Sequence, residues 1–168
     1  MSDLLVLARM GSVSLEREEI NLAAEVAKIV ETAQAAFPQI SLTFSQAAGE
    51  FPLLANLSLA RQVLTNLINN AGQYADKDHG EVTVAIKDTG GAYVFSCANN
   101  GPAIAEADKP KIFGRLFRTE SAKAVRSSGS GLGLFIVKMI ADSFGWKVWF
   151  ESEPGKLTTF FVDMPKSS

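Results

Sequence analysis

Apolar positions along the chain change period several times, and each change marks an element. Leu4, Leu5, Leu7 and Ala8 form a short helix-like face that starts abruptly, and a piece of that length is marginal without a partner helix. Glu19 to Leu22 reads as a brief strand. Leu22, Val26, Ile29, Val30 and Ala33 then recur at helical spacing until Pro38 closes the run. Ile40, Leu42 and Phe44 alternate as in a half-buried strand. Residues 58–75 carry Leu59, Val63, Leu64, Leu67 and Ile68 on one helical face. Val82, Val84 and Ile86 alternate, Tyr93 to Ala98 forms another strand, and Gly90-Gly91 between them signals a hairpin. Residues 99–130 are loop-rich. A third helix runs from about Gly131 to Ser143, and strands at Lys147 to Ser152 and Thr158 to Met164 flank the turn at Pro154-Gly155. This mixed order predicts an α+β fold: a two-layer sandwich whose antiparallel-rich mixed sheet is covered on one face by three main helices. A doubly wound nucleotide fold would instead alternate strand and helix throughout.

Composition narrows the picture further. The chain has 168 residues, 47% hydrophobic and 20% charged, enough for one domain with a sizeable core and unlike a disordered segment. Its formal net charge of −2 gives no bulk attraction for nucleic acid. Cys97, the single cysteine, excludes an internal disulfide, suits a reducing cytoplasm and reads as an inert buried thiol. The single histidine, His79, sits in the polar stretch Asp76 to Gly80 and reads as part of a surface turn. No apolar run approaches the roughly 20 residues of a membrane span, and the N-terminus does not read as a signal peptide.

Three polar constellations interrupt the apolar pattern. In Asn66-Leu67-Ile68-Asn69-Asn70-Ala71, Asn66 and Asn70 share one helix face. Asparagine is a weak helix former, so this is either a solvated face or a polar pair aimed at a ligand, with amide oxygens suited to a hard cation such as Mg²⁺. Asn99-Asn100-Gly101-Pro102-Ala103-Ile104 follows a strand directly; alone it is a strand-ending turn in which Gly101 allows a positive φ and close backbone approach. Gly129-Ser130-Gly131-Leu132-Gly133-Leu134 runs straight into a helix. Its alternating glycines fit a phosphate loop, in which bare N–H groups and the helix N-terminus hold an anion. No Lys-Ser/Thr follows as in a Walker loop, and no strand–helix–strand unit surrounds it.

In this order and spacing the three constellations resemble the catalytic, ATP-binding domain of bacterial two-component sensor histidine kinases, in the GHKL superfamily (gyrase, chaperone, histidine kinase, MutL). Leu64 to Tyr74 resembles the N box, Asn99 to Ile104 the first glycine box, Ile112 to Arg118 the F box, Gly129 to Lys138 the second glycine box, and Thr158-Thr159-Phe160 with Met164-Pro165 the closing hairpin. The resemblance covers about residues 15–166. Leu4 to Gly11 resembles the end of a dimerisation helix. It implies a Bergerat-type sandwich over 15–168, a remnant of dimerisation helix and linker over 1–14, and an ATP lid at about 105–130.

The resemblance also implies roles. Asn70 ligates Mg²⁺ that bridges the phosphates, and Asn66 stands beside it near the reaction. Tyr74 packs beside the nucleotide. Asn99 occupies the adenine-reading position. Arg115 and Arg118, in the mobile part of the lid from Phe113 to Ser128, reach the phosphates or a partner domain. Gly129, Gly131 and Gly133 hinge the lid and let the backbone approach phosphate. Leu132 and Leu134 pack as core or adenine wall. Gln73, Gly101, Ala103, Ile104, Ser130 and Thr159 fall within the matched boxes and count with the nucleotide contacts. Asn99 replaces the family's Asp, Gln73 a Lys, and Ala103 the second glycine of its box. The implied activity is donation of the ATP γ-phosphoryl group to a histidine on a dimerisation domain that this sequence lacks. The parent kinase would be a cytoplasmic homodimer, with an inner-membrane anchor allowed, acting on a response regulator; no nucleic-acid or membrane contact is expected of this part. A degenerate scaffold module and an anti-sigma-type serine kinase stay open as alternatives.

Overall fold

The computed structural model describes residues 16–46, 48–115, 117–118 and 131–166. The elements in chain order are β1 (Glu18–Asn21), α1 (Leu22–Ala36), β2 (Ser41–Gln46), β3 (Pro52–Ala55), α2 (Leu57–Tyr74), β4 (Glu81–Asp88), β5 (Ala92–Asn99), a 3-10 turn (Lys109–Lys111), α3 (Gly133–Phe144), β6 (Lys147–Glu151) and β7 (Thr158–Pro165). The main sheet has the order β2-β4-β5-β7-β6. Only β2 and β4 run parallel; α2 lies in the connection between them, and the remaining pairs are antiparallel. The predicted α+β sandwich, with an antiparallel-rich mixed sheet and three main helices, is therefore the fold of this chain.

Strand period decides which side chains enter the core. In β5, Tyr93, Phe95, Cys97 and Asn99 are buried, and their β7 register partners Met164, Val162, Phe160 and Thr158 are buried with them. Registered partners on antiparallel strands project to the same face. That face meets the helices: the Cys97 thiol lies 3.8 Å from the Leu67 carbonyl in α2. Leu64, Leu67 and Ile68 of α2 and Ile136 and Ile140 of α3 complete the core with almost no exposure. The opposite sheet face is open, and there Trp149 stacks on Phe161 at 5.1 Å.

The helix ends follow local chemistry. Asn21 and Asn56 cap α1 and α2, their Oδ1 atoms accepting from Ala24 N and Leu59 N. Gly145, at φ +71°, ends α3 in the left-handed conformation that glycine takes without strain. Glu25, buried on α1, accepts from Arg61 Nε of α2 at 2.6 Å and from Lys28 Nζ at 3.1 Å. The Arg61 guanidinium is the main cause that holds the Glu25 carboxyl below its ordinary pKa, against the opposing effect of burial.

One element escapes the sequence pattern. β3 pairs with β1 in a separate two-stranded antiparallel ribbon, Glu18 opposite Ala55 and Asn21 opposite Pro52. Its four residues are too few to show a period. The turn residue Gly90, at φ +92°, forms the expected β4–β5 hairpin. The expected helix remnant at residues 1–14 lies outside the described residues.

Candidate functional site

The polar face of α2 meets the first turn of α3. Asn66 Nδ2 donates to the Gly133 carbonyl at 3.2 Å, and Asn66 Oδ1 accepts from Gln62 Nε2 at 3.1 Å. Both functions of the Asn66 amide are thus engaged in joining the two helices. Asn70, one turn further along the same face, is half-buried and makes no side-chain hydrogen bond to any described residue. Gln73 and Tyr74 finish the helix, both half-buried.

The glycine-rich segment enters this arrangement at the N-terminus of α3. Gly131 has φ +67°, and Leu132, buried, precedes the helix without a side-chain cap; the first turn holds no acidic residue. The first-turn N–H groups therefore lack the side-chain acceptors that usually occupy such positions, which suits an incoming anion. A Cβ built on Gly133 would meet nothing within 4 Å, so the space beside this turn is open. Leu134 is half-buried and packs against the core cluster. Gly129 and Ser130 lie outside the described residues.

The end of β5 supplies the third part. Asn99 is 3% exposed, and its Oδ1 accepts from Gly101 N at 2.9 Å. Gly101 is needed for close approach and not for an unusual φ: a Cβ there would stand 1.7 Å from the Tyr74 carbonyl oxygen. The strand end is thereby seated against the end of α2. Asn100 fastens the adjoining turn, accepting from Asp76 N and Glu81 N and donating to the His79 carbonyl. His79 is exposed in that turn, as its polar surroundings suggest. Ala103 and Ile104 are half-buried, and Ile104 N donates to Ser152 Oγ at 2.8 Å. Ser152 Oγ in turn shares a 2.7 Å hydrogen bond with Thr158 Oγ1, both side chains being buried.

This last contact corrects one expectation. Thr158, opposite Asn99 in the sheet register, lies on the helix face beside the site. Thr159 is opposite Ala98 and Glu151, so strand alternation directs it to the open face, away from Asn99. Ser152 was not singled out from the sequence, because a serine at a strand end before a Pro-Gly turn carries no signal of its own.

The lid expected at about 105–130 is described only in part. Ile112 is buried, and Phe113 packs edge-on against Phe150 at 5.9 Å and Phe160 at 6.2 Å. The start of that segment is therefore anchored on the sheet's helix-facing side. Arg115 is exposed and Arg118 half-buried. Most of the stretch from Phe113 to Ser128 lies outside the described residues.

These groups suit a phosphate-bearing ligand with a hard cation. Asn70 offers an amide oxygen that no described residue uses, opposite an uncapped helix N-terminus. Among the described residues no group of three or more His, Cys, Asp or Glu could hold a metal ion. A cation here would take most of its oxygens from phosphate and water, as Mg²⁺ does.

The sandwich, the asparagine face and the glycine-rich helix start together define a nucleotide-handling domain. The chain belongs to the histidine kinase-, DNA gyrase B- and HSP90-like ATPase family, whose model matches residues 55–168. Within that family it is a catalytic domain of the sensor histidine kinase kind. Sensor protein SrrB of Staphylococcus aureus (strain MRSA252) is 31% identical over 170 residues, covering 99% of this chain and 29% of SrrB. The chain thus spans less than a third of that relative. The nucleotide-free catalytic domain of histidine kinase ThkA is 28% identical, with 90% of this chain and 98% of that one covered and a TM-score of 0.77. Full-length ShkA in complex with AMPPNP superposes with a TM-score of 0.82 at 24% identity, over 99% of this chain and 35% of ShkA, which shows the shared fold.

Proposed function

We propose that this chain binds Mg-ATP and donates the γ-phosphoryl group to a histidine on a dimerisation domain outside it, within a homodimeric sensor kinase that signals to a response regulator from the cytoplasm. The observation that carries this reading is the amide pair on α2 facing the start of α3. Asn70 would hold the Mg²⁺, which bridges the phosphates and offsets their charge. The first turn of α3 would receive phosphate oxygens, and Arg115 and Arg118 supply positive charge from the lid. The position four residues before Asn70 is where a carboxylate could activate water. Asn66 stands there, an amide that takes no proton at neutral pH and is already held between Gln62 and Gly133. Water attack therefore lacks a base, and transfer to a positioned nucleophile is the better fit. No helix among the described residues is long and apolar enough to cross a membrane.

The test is to mix the chain with the histidine-bearing dimerisation domain of its parent protein and γ-labelled ATP. Acid-labile, alkali-stable label on the acceptor is expected, lost with Asn70→Asp and retained in large part with Asn69→Asp. Release of inorganic phosphate at the same rate with or without acceptor would overturn the transfer reading. Gln73 and Asn99 motivate a second reading, a degenerate scaffold module; nucleotide binding without transfer to any acceptor would favour it. Label on serine of an anti-anti-sigma partner would point to the serine-kinase alternative.

A further inference from the structure

Asn99 holds a buried amide whose two ends are unequally used. Its Oδ1 is engaged by the Gly101 N–H at 2.9 Å, in a residue 3% exposed. Turning the amide over would set its NH₂ against that N–H, donor against donor, so the orientation is fixed by the backbone. The neighbouring polar groups do not supply an acceptor: the Thr158 hydroxyl is paired with Ser152, and among the described residues nothing accepts from Asn99 Nδ2. A buried NH₂ without an acceptor is costly, and a ligand that brings one removes the cost.

We infer that the base-reading position of this site favours a 6-oxopurine nucleotide, ITP or GTP, over ATP. The inference rests on the nucleotide-site reading above, in which Asn99 faces the base. A purine with an exocyclic amino group presents hydrogen-bond donors to the Asn99 NH₂, whereas a 6-oxo group presents the acceptor that the NH₂ lacks. An aspartate at this position would reverse the preference. One carboxylate oxygen would take the Gly101 N–H and the other would face the base as an acceptor, attracting an amino group and repelling a carbonyl. The contacts proposed for phosphate and Mg²⁺ involve parts that these nucleotides share, so phosphoryl transfer is open to either base.

The experiment is calorimetric titration of the chain, and of Asn99→Asp, with ATP, ITP and GTP in excess Mg²⁺; ITP isolates the 6-position because it lacks the 2-amino group of guanine. The parent chain should bind ITP more tightly than ATP, and Asn99→Asp should shift the ITP-to-ATP affinity ratio toward ATP by roughly tenfold or more, the factor expected when one buried donor–acceptor match replaces a mismatch. If the parent chain prefers ATP to ITP, the inference is overturned while nucleotide binding stands. A ratio unchanged in a folded Asn99→Asp would likewise overturn it. Should none of the three nucleotides bind, the underlying site reading fails as well. The comparison in the parent chain decides the question even where the variant does not fold.

Discussion

A methyl group added at Gly133 should have opposite effects on stability and on ligand binding. Gly133 is the first residue of α3, and a Cβ there would meet nothing within 4 Å. Alanine is the better helix former by about 0.8–1 kcal/mol in a helix interior, and less at a first-turn position. Gly133→Ala should therefore stabilise the ligand-free domain by about 0.5 kcal/mol, or about 1–2 °C in Tm at this size. The same methyl occupies the open space where phosphate is proposed to approach the backbone N–H groups. A phosphate oxygen held about 1 Å farther from its donors loses most of a charge-assisted bond, so Mg-ATP affinity should fall about tenfold or more. Gly101→Ala is the contrasting control, since its Cβ would stand 1.7 Å from the Tyr74 carbonyl oxygen. Only movement of the β5 end or the α2 end could relieve that overlap, at a cost of about 3 kcal/mol or more, or roughly 6–12 °C. Thermal melting with and without Mg-ATP reads both quantities. A stable Gly133→Ala that binds Mg-ATP like the parent would refute the seat proposed for phosphate, and Gly101→Ala melting within about 2 °C of the parent would refute the close approach of strand and helix ends.

Two other perturbations test parts of the frame. Ser152→Ala removes the acceptor for Ile104 N and the partner of the Thr158 hydroxyl, so it should cost about 1–3 kcal/mol in denaturant unfolding, with Ser152→Thr retaining part of the loss; an alanine variant as stable as the parent would deny the hydroxyl pair its role. Glu25 has a depressed folded-state pKa, so its ion pair contributes stability above the ordinary value of 4.5 and loses it as pH falls through the lower folded value. Glu25→Gln should accordingly destabilise the domain near neutral pH by about 1–2 kcal/mol and reduce the difference from the parent below pH 4; a difference that does not change with pH would contradict the pairing with Arg61.

Much of this architecture was legible because its elements are long and regularly patterned. The apolar stripe Leu59, Val63, Leu64, Leu67 and Ile68 specifies α2 within about a residue of its observed ends, and the alternation of Val82, Val84 and Ile86 specifies β4. β3 was not legible, since four residues beginning with a proline show no period and gain their strand form only by pairing with β1. The phase of β7 was ambiguous for a different reason. Phe160 and Phe161 are adjacent aromatics, so the sequence does not say which face is inward; the register with β5 makes it that of Phe160, and with it Thr158 instead of Thr159. The site's helix-borne groups could be paired from spacing, as with Asn66 and Asn70. The engagement of Asn66 with Gly133 and of Gly101 with Tyr74 depends on how distant elements meet, which local pattern does not encode.

The central claim, that the α2 amide face and the start of α3 form a Mg²⁺-dependent nucleotide site, is tested most directly by calorimetric titration of ATP and ADP with and without Mg²⁺. The account predicts saturable binding in Mg²⁺ that weakens strongly when the metal is chelated and when Asn70 is replaced by alanine, with Asn69→Ala close to the parent. No detectable heat from millimolar nucleotide in the presence of Mg²⁺, or equal losses at Asn69 and Asn70, would contradict it.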